Sequence, residues 1–288
     1  MTQILSAAPI KKKITKILKT ECQLLKEKNI IPYLKVILVG NNPASLIYTA
    51  SKKKYCERVG AKCDIIALDQ AVNEHDFLST INHINEDKHI HGLIIQLPLP
   101  KHLAHLDVGK LIAKEKDVDG FHPENLYALM KNDSSKHHFV SCTPKGILTL
   151  LQEYQIDVKH KNVIIIGRSM IVGKPLALLL TNQDATVTLA HSQTKNLHEL
   201  SARADIIISA IGKTHFVDRN FLSLTKNQIL IDVGMNRNSQ EEICGDIDFL
   251  QVESHVQAIT PVPGGVGPMT IISLVQNLLQ AARNQLSF

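Results

Sequence analysis

Short apolar runs alternate with longer stretches of helical period twice along the chain, once in each half. In the first half the runs at 34–39, 63–68 and 92–97 read as strands, and the segments 45–58 and 74–86 between them read as helices. In the second half strands are expected at 163–166, 186–189, 205–209 and 228–233, with helices at 143–154, near Gly173 and at 196–203. Such alternation predicts a doubly wound α/β protein of two domains with a cleft between them. The polar segment 131–138 has little to bury and sets the expected boundary, giving domains 1–138 and 139–269. A final apolar helix, 270–288, follows a loop rich in Pro and Gly and is expected to pack back on the first domain.

Open α/β sheets bind ligands outside the carboxyl ends of their strands. There the first half places Tyr48 and Lys52, four residues apart and so on one face of a helix, while Lys53 and Lys54 point elsewhere. The same edge is expected to collect Gln96 and the loop K-D-V-D-G-F-H-P around Asp119. Taken singly, Gln96 and Asp119 also fit a strand-end cap or a turn residue. An isolated Y-x-x-x-K also arises by accident on solvated helices.

In the second half, V-I-I-I-G-R-S-M-I-V-G-K-P (163–175) reads as a buried strand, a turn at Gly167 and a helix opening at Gly173, with Pro175 suited to its first turn. Such a turn can aim backbone N–H groups and the positive end of a helix at a phosphate, with Lys174 close by. The spacing is neither G-x-G-x-x-G nor G-x-x-x-x-G-K-[ST], so a P-loop kinase or ATPase is disfavoured, and an ordinary packing joint remains the alternative. A dinucleotide with a free 2'-hydroxyl usually meets a carboxylate about 20 residues on, at the end of the second strand. That position reads L-A-H-S-Q-T, with His191 and Ser192 and no carboxylate. Arg168 directly follows the first strand and can meet a 2'-phosphate by bidentate contact, so the expected cofactor is NADP rather than NAD.

Composition narrows the partners. Of the 288 residues 44% are apolar and 20% charged, which suits a large globular core, and with 4% aromatic residues and no Trp there is no stacking platform for single-stranded nucleic acid. The net charge of +5 is spread along the chain and suits an anionic small molecule. The five cysteines are scattered without a C-x-x-C pair, which points to a reducing cytoplasm, and the fourteen histidines lack metal-ligand spacing, so no metal is expected. The chain starts apolar (4–10) and then basic, the reverse of a signal peptide, and no apolar stretch approaches the ~18 residues of a membrane span.

Nine ordered stretches carry a resemblance over nearly the whole chain: V-G-N-N-P-A-S-L-I-Y-T-A-S-K (39–52), G-L-I-I-Q-L-P-L-P (92–100), D-V-D-G-F-H-P-E-N (117–125), C-T-P-K-G-I (142–147), G-R-S-M-I-V-G-K-P (167–175), A-D-I-I-I-S-A-I-G-K (204–213), I-D-V-G (231–234), G-D-I-D-F (245–249) and T-P-V-P-G-G-V-G-P-M-T (260–270). With these the sequence resembles the bifunctional methylenetetrahydrofolate dehydrogenase/methenyltetrahydrofolate cyclohydrolase (FolD) family. The resemblance implies NADP-dependent oxidation of 5,10-methylenetetrahydrofolate to the methenyl form and hydrolysis of that form to 10-formyltetrahydrofolate, in a homodimer. It implies that Lys52 is the acid/base of hydrolysis, that Tyr48 stacks on or positions the folate ring, and that Asp119 holds the amino-pyrimidine edge of the pterin.

A lysine in that role needs burial or nearby charge to work near neutral pH. Gln96 then holds the amine without adding a charge, whereas a carboxylate there would keep it protonated. The resemblance also extends cofactor contacts to Ser169, Ala210, Ile211 and Gly212, and lays the loop of Pro261, Pro263, Gly264, Gly265 and Gly267 over the active cleft. Where relatives read N-x-G-[RK]-L, this chain has Asn125, Leu126, Tyr127, Ala128, Leu129; if that glycine takes positive φ, Tyr127 strains or remodels the turn. Two other readings stand beside this one. A short-chain dehydrogenase shares Tyr-x-x-x-Lys but places it after the dinucleotide turn, not before. A non-catalytic NADP-binding regulator predicts loss of Lys52, Gln96 or Asp119, and all three are present.

Overall fold

The strand-forming runs are buried on both faces, Leu34, Val36, Ile37, Leu38, Leu93 and Ile94 in the first half and Val163 to Ile166 and Ile206 to Ile208 in the second. A strand apolar on both faces needs a parallel sheet with helices on either side. The computed structural model describes residues 1–132, 138–225 and 227–285. In chain order it begins with β1 (Gln3–Ile4), α1 (Ala7–Glu27), β2 (Tyr33–Val39), α2 (Pro43–Val59), β3 (Lys62–Leu68), α3 (Glu74–Glu86), β4 (Gly92–Ile95), α4 (Val108–Leu111) and α5 (Pro123–Met130). It continues with α6 (Cys142–Glu153), β5 (Asn162–Ile166), α7 (Gly173–Thr181), β6 (Thr186–Ala190), α8 (Leu197–Arg203), β7 (Ile206–Ser209), β8 (Ile229–Asp232), the antiparallel pair β9 (Asn236–Arg237) and β10 (Ile243–Cys244), α9 (Phe249–Val252), β11 (Ala258–Ile259) and α10 (Val266–Asn284).

Two units result. One comprises Lys13–Cys142 with the chain from Ile271 onward, and the other Met1–Lys12 with Thr143–Thr270. The first holds a parallel sheet of order β3-β2-β4, in which Leu34 pairs with Cys63 on one side and Gly92 on the other. The second holds, among the described residues, a six-stranded parallel sheet of order β1-β11-β8-β7-β5-β6.

The expected division at 138/139 is therefore revised at two places. The first twelve residues belong with the second sheet, because Gln3 and Ile4 pair in parallel with Ala258 and Ile259. The later boundary falls at Cys142/Thr143; residues 133–137 of the segment that suggested it lie outside the described residues. In the three-stranded unit the buried side chain of Asn277 donates to the carbonyls of Val118 (2.8 Å) and Val140 (3.0 Å), and Arg283 pairs with Glu21 at 2.8 Å.

Local chemistry sets the helix that matters most. Asn42 caps α2 by accepting from Ser45 N–H at 3.1 Å, Pro43 occupies the first turn, and Gly60 closes the helix at φ 95°. The helix buries Ser45, Thr49, Cys56 and Val59 and turns the Tyr48/Lys52 face to a half-buried setting. Sequence reading left α1 unassigned, although Ile10, Ile14, Leu18, Cys22 and Leu25 form one buried stripe along it.

Candidate active site

In the three-stranded unit the chain runs from β2 to β3 on one side and returns to β4 on the other, so its switch point lies beside the carboxyl ends of β2 and β4. Gln96 is the first residue past β4, with its N–H still bonded to Ile37 O at 2.9 Å, so the strand ends earlier than the apolar run. Its amide is oriented by its own bonds: Nε2 donates to Leu97 O at 2.8 Å, leaving Oε1 to accept from Lys52 Nζ at 2.9 Å. Tyr48 stands one turn before Lys52 on α2, half-buried, and burial pushes its phenol above the ordinary tyrosine range. The structure thus joins Lys52 and Gln96 directly and sets Tyr48 on the same helix face.

Asp119 departs from the expectation that it follows a strand. It lies on a turn after the short 3-10 segment Lys114–Lys116, half-buried, and its carbonyl accepts from Cys142 N–H at 3.3 Å. The neighbouring Val118 packs on Gly92 at the start of β4, where a Cβ would stand 2.9 Å from the valine. The strain expected at Tyr127 is absent: it sits inside α5 with helical backbone, 61% exposed, with Lys131 Nζ 5.5 Å from its ring centre.

In the six-stranded unit the switch point lies between β5 and β7, since the chain goes from β5 to β6 and then crosses to β7. Gly167 leaves β5 at φ 131°, and a Cβ there would stand 2.3 Å from Ala210 O at the end of β7. Gly173 opens α7 so close to this turn that its Cβ would meet Gly167 O at 1.9 Å. Both glycines are required by close approach of backbone to backbone.

The helix-opening amides expected to face a phosphate are held inside the turn instead. Ser169 Oγ accepts from Val172 N–H (3.2 Å) and Gly173 N–H (3.4 Å), Ser169 O accepts from Lys174 N–H (3.0 Å), and Pro175 has no N–H to offer. The corner therefore exposes the side chains of Arg168 and Lys174, together with Ser192 and the half-buried His191 past β6. His191 is fixed by its own turn, its N–H donating to Thr194 Oγ1 (2.8 Å) and its Nδ1 accepting from Gln193 N–H (3.2 Å). Pro261, Gly264 and Gly265 form the joint between β11 and α10, where Gly264 takes φ 110° and accepts from Ala7 N–H at 2.8 Å, and the Val262–Pro263 bond is cis.

Sequence reasoning missed three buried carboxylates. Asp246 accepts from Ile211, Gly212 and Lys213 N–H at 2.8, 3.2 and 2.9 Å and from Asn236 Nδ2 at 2.9 Å, so the amides of the loop after β7 point inward. Asp232 holds the backbone of Gly234, Asp246 and Ile247, and Asp117 holds Gly120, His122 and Asn125. Burial pushes Asp117 and Asp232 each up to about 6, against the N–H bonds that favour the charged form. The stretches G-D-I-D-F, I-D-V-G and D-V-D-G carry all three; the partners of Asp117 lie within the next eight residues, whereas those of Asp246 come mostly from a loop that only the topology brings near. Among the described residues no group of three or more His, Cys, Asp or Glu is placed to hold a metal ion, and no helix is long and apolar enough to cross a membrane.

Comparison with known proteins gives a consistent match. The family model for the tetrahydrofolate dehydrogenase/cyclohydrolase catalytic domain matches residues 5–119, and that for the NAD(P)-binding domain matches residues 141–286. The chain is 45% identical over 284 residues to the bifunctional protein FolD of Ligilactobacillus salivarius (strain UCC118), covering 99% of this chain and 98% of that one. Its fold is similar to the crystal structure of the FolD methylenetetrahydrofolate dehydrogenase/cyclohydrolase of Campylobacter jejuni (TM-score 0.93, 41% identity, 99% of each chain). It is similar also to the Trypanosoma brucei enzyme complexed with NADP cofactor and inhibitor (TM-score 0.92, 30% identity, 100% of this chain and 99% of that one).

Proposed function

The chain belongs to the tetrahydrofolate dehydrogenase/cyclohydrolase family, and from that premise we propose that it serves one-carbon metabolism by two successive reactions. It oxidises 5,10-methylenetetrahydrofolate to the 5,10-methenyl form with NADP+, and it hydrolyses the methenyl form to 10-formyltetrahydrofolate. The observation that carries the reading is the Lys52 Nζ to Gln96 Oε1 bond of 2.9 Å at a strand-end corner.

In hydrolysis, water adds to the cationic carbon between N5 and N10. A proton must leave the water as it adds, and a proton must reach N5 as the C–N5 bond breaks, while the hydroxyl's remaining proton is lost as the formyl C=O forms; one proton is released overall. Lys52 is assigned both transfers. Gln96 aims the amine through a neutral acceptor whose orientation is locked by Leu97 O. Tyr48 offers a flat, half-buried ring to the pterin, and the Asp119 carboxylate can accept two N–H bonds from the amino-pyrimidine edge.

The six-stranded unit fits NADP. The glycines at 167 and 173 leave room for nothing larger at the β5 turn, and the exposed Arg168 and Ser192 with the half-buried His191 bring cation and hydroxyl with no carboxylate to repel a 2'-phosphate. Lys174 adds charge; Pro175, Ser169, Ala210, Ile211 and Gly212 shape the backbone there. Bound NADP+ supplies the hydride acceptor, and the protein supplies position. Pro261, Gly264 and Gly265 are assigned to the substrate side, the two glycines for the close backbone approach they permit. The same reading makes the protein a cytoplasmic homodimer, which sedimentation at micromolar concentration tests.

The decisive experiment follows reduced cofactor and methenyl product after mixing protein with 5,10-methylenetetrahydrofolate and NADP+ or NAD+, and then hydrolysis of added methenyltetrahydrofolate by the parent and by Lys52→Ala. NADP+-dependent oxidation with hydrolysis lowered by ~10²-fold or more in the variant supports the reading. Folded protein that binds NADP+ without turnover overturns it.

A further inference from the structure

The loop that carries Asp119 is organised around a different carboxylate. Asp117 is 1% exposed, and both its oxygens are engaged: Oδ1 accepts from Gly120 N–H (3.2 Å), and Oδ2 accepts from His122 N–H (2.7 Å) and Asn125 Nδ2 (2.8 Å). Asn125 in turn accepts from Phe139 N–H at 3.2 Å, and Ser141 Oγ donates to Gly120 O at 2.9 Å. From the other side Asn277, fully buried, donates to Val118 O and Val140 O. Gly120 takes φ 79°, and a Cβ on it would stand 2.6 Å from Ser141 N, so the turn has one shape available.

Residues 117 and 119 thus face opposite demands. Asp117 is locked inside by three donors, while Asp119, two residues on, is only half-buried. We propose that Asp117 and Asn277 are positioning residues for substrate binding, holding the 117–122 turn in the one geometry that presents the Asp119 carboxylate to the pterin edge. The proposal rests on the reading of Asp119 as a substrate partner. Replacing a bidentate acceptor by an amide sets N–H against N–H, so Asp117→Asn keeps shape and removes the lock. Asn277→Ala leaves the carboxylate intact and frees the two carbonyls instead.

Steady-state kinetics of both reactions decide it. In Asp117→Asn and Asn277→Ala, KM for methylenetetrahydrofolate in oxidation and for methenyltetrahydrofolate in cofactor-free hydrolysis are expected to rise together by ~10-fold, with kcat within ~3-fold and KM for NADP+ unchanged. A variant that has only lost folded protein would lower kcat at unchanged folate KM, and that result overturns the proposal, as does an equal rise in KM for NADP+. If Asp117→Asn does not fold, Asn277→Ala carries the test alone. Asp119→Ala separates the two levels. Unchanged folate KM there overturns the assignment of Asp119 itself, whereas a raised KM there with unchanged values in both positioning variants overturns only the role of Asp117 and Asn277.

Discussion

Both units present candidate chemistry at the carboxyl edge of a parallel sheet, yet they build it from different parts of the chain. In the three-stranded unit the proposed working groups are side chains, Lys52 meeting Gln96 at 2.9 Å from a helix capped by Asn42 and Gly60. In the six-stranded unit the exposed side chains stand on a tight backbone joint, with Gly167 and Gly173 packed so closely that no methyl fits. Function and stability are separable at the first corner and inseparable at the second.

The largest test of that difference is Gly173→Ala. Its methyl would stand 1.9 Å from a backbone carbonyl, which no side-chain rotation relieves, and a cost of about 3 kcal/mol or more is expected. Urea unfolding should register the loss, and KM for NADP+ should rise in whatever remains folded. Gln96→Glu probes the opposite behaviour. It sets a carboxylate against the Lys52 amine and ties up the proton that hydrolysis must move, so the rate should fall ~10²-fold with the unfolding midpoint unmoved. Should the midpoint fall and the rate hold, the contrast between the corners is wrong.

A smaller effect is common to both units. The carboxyls of Asp117 and Asp232 sit at about 6 in the folded protein, above the ordinary aspartate value near 3.9 in an unfolded chain. Between those values the folded state binds more protons, so these two groups make stability fall as pH rises from about 4 to about 6 and contribute no further slope above that. The size is on the order of 3 kcal/mol each, and Asp232→Asn should flatten the measured slope of unfolding free energy against pH in this window by up to about one proton. Least costly is Gly212→Ala: the added methyl meets only Asn236 Oδ1 at 3.9 Å, leaving the left-handed backbone at φ 66° as the sole penalty, about 1 kcal/mol.

What the sequence made legible follows the same divide. Runs such as 34–39 and 163–166 announce buried strands because apolarity on both faces has few other solutions, and Gln96 announces itself by ending one of them. The stripe Ile10, Ile14, Leu18, Cys22, Leu25 of α1 was equally readable and was hidden by the lysines between its members. Asp117 and Asp119 were not separable: two carboxylates two residues apart look alike until the turn decides which one faces inward. Asp246 was less readable still, since the amides it gathers lie 33 to 35 residues earlier in the chain. Tyr127 misled for a related reason, because a position held by glycine elsewhere is here an ordinary turn of helix.

The pairing of Gln3 and Ile4 with Ala258 and Ile259 also bears on how the protein is made. A ribosome releases residues in order, and the strand that receives Gln3 and Ile4 emerges long after them. Until then the six-stranded sheet lacks two of its strands, and the three-stranded unit lacks the helix residues from Ile271 onward that supply Asn277. Each unit thus waits for residues that lie beyond position 257. Removing Gln3 and Ile4 should open the six-stranded sheet and removing the residues from Ile271 onward the three-stranded unit, and until those later residues emerge the newborn chain carries open edges.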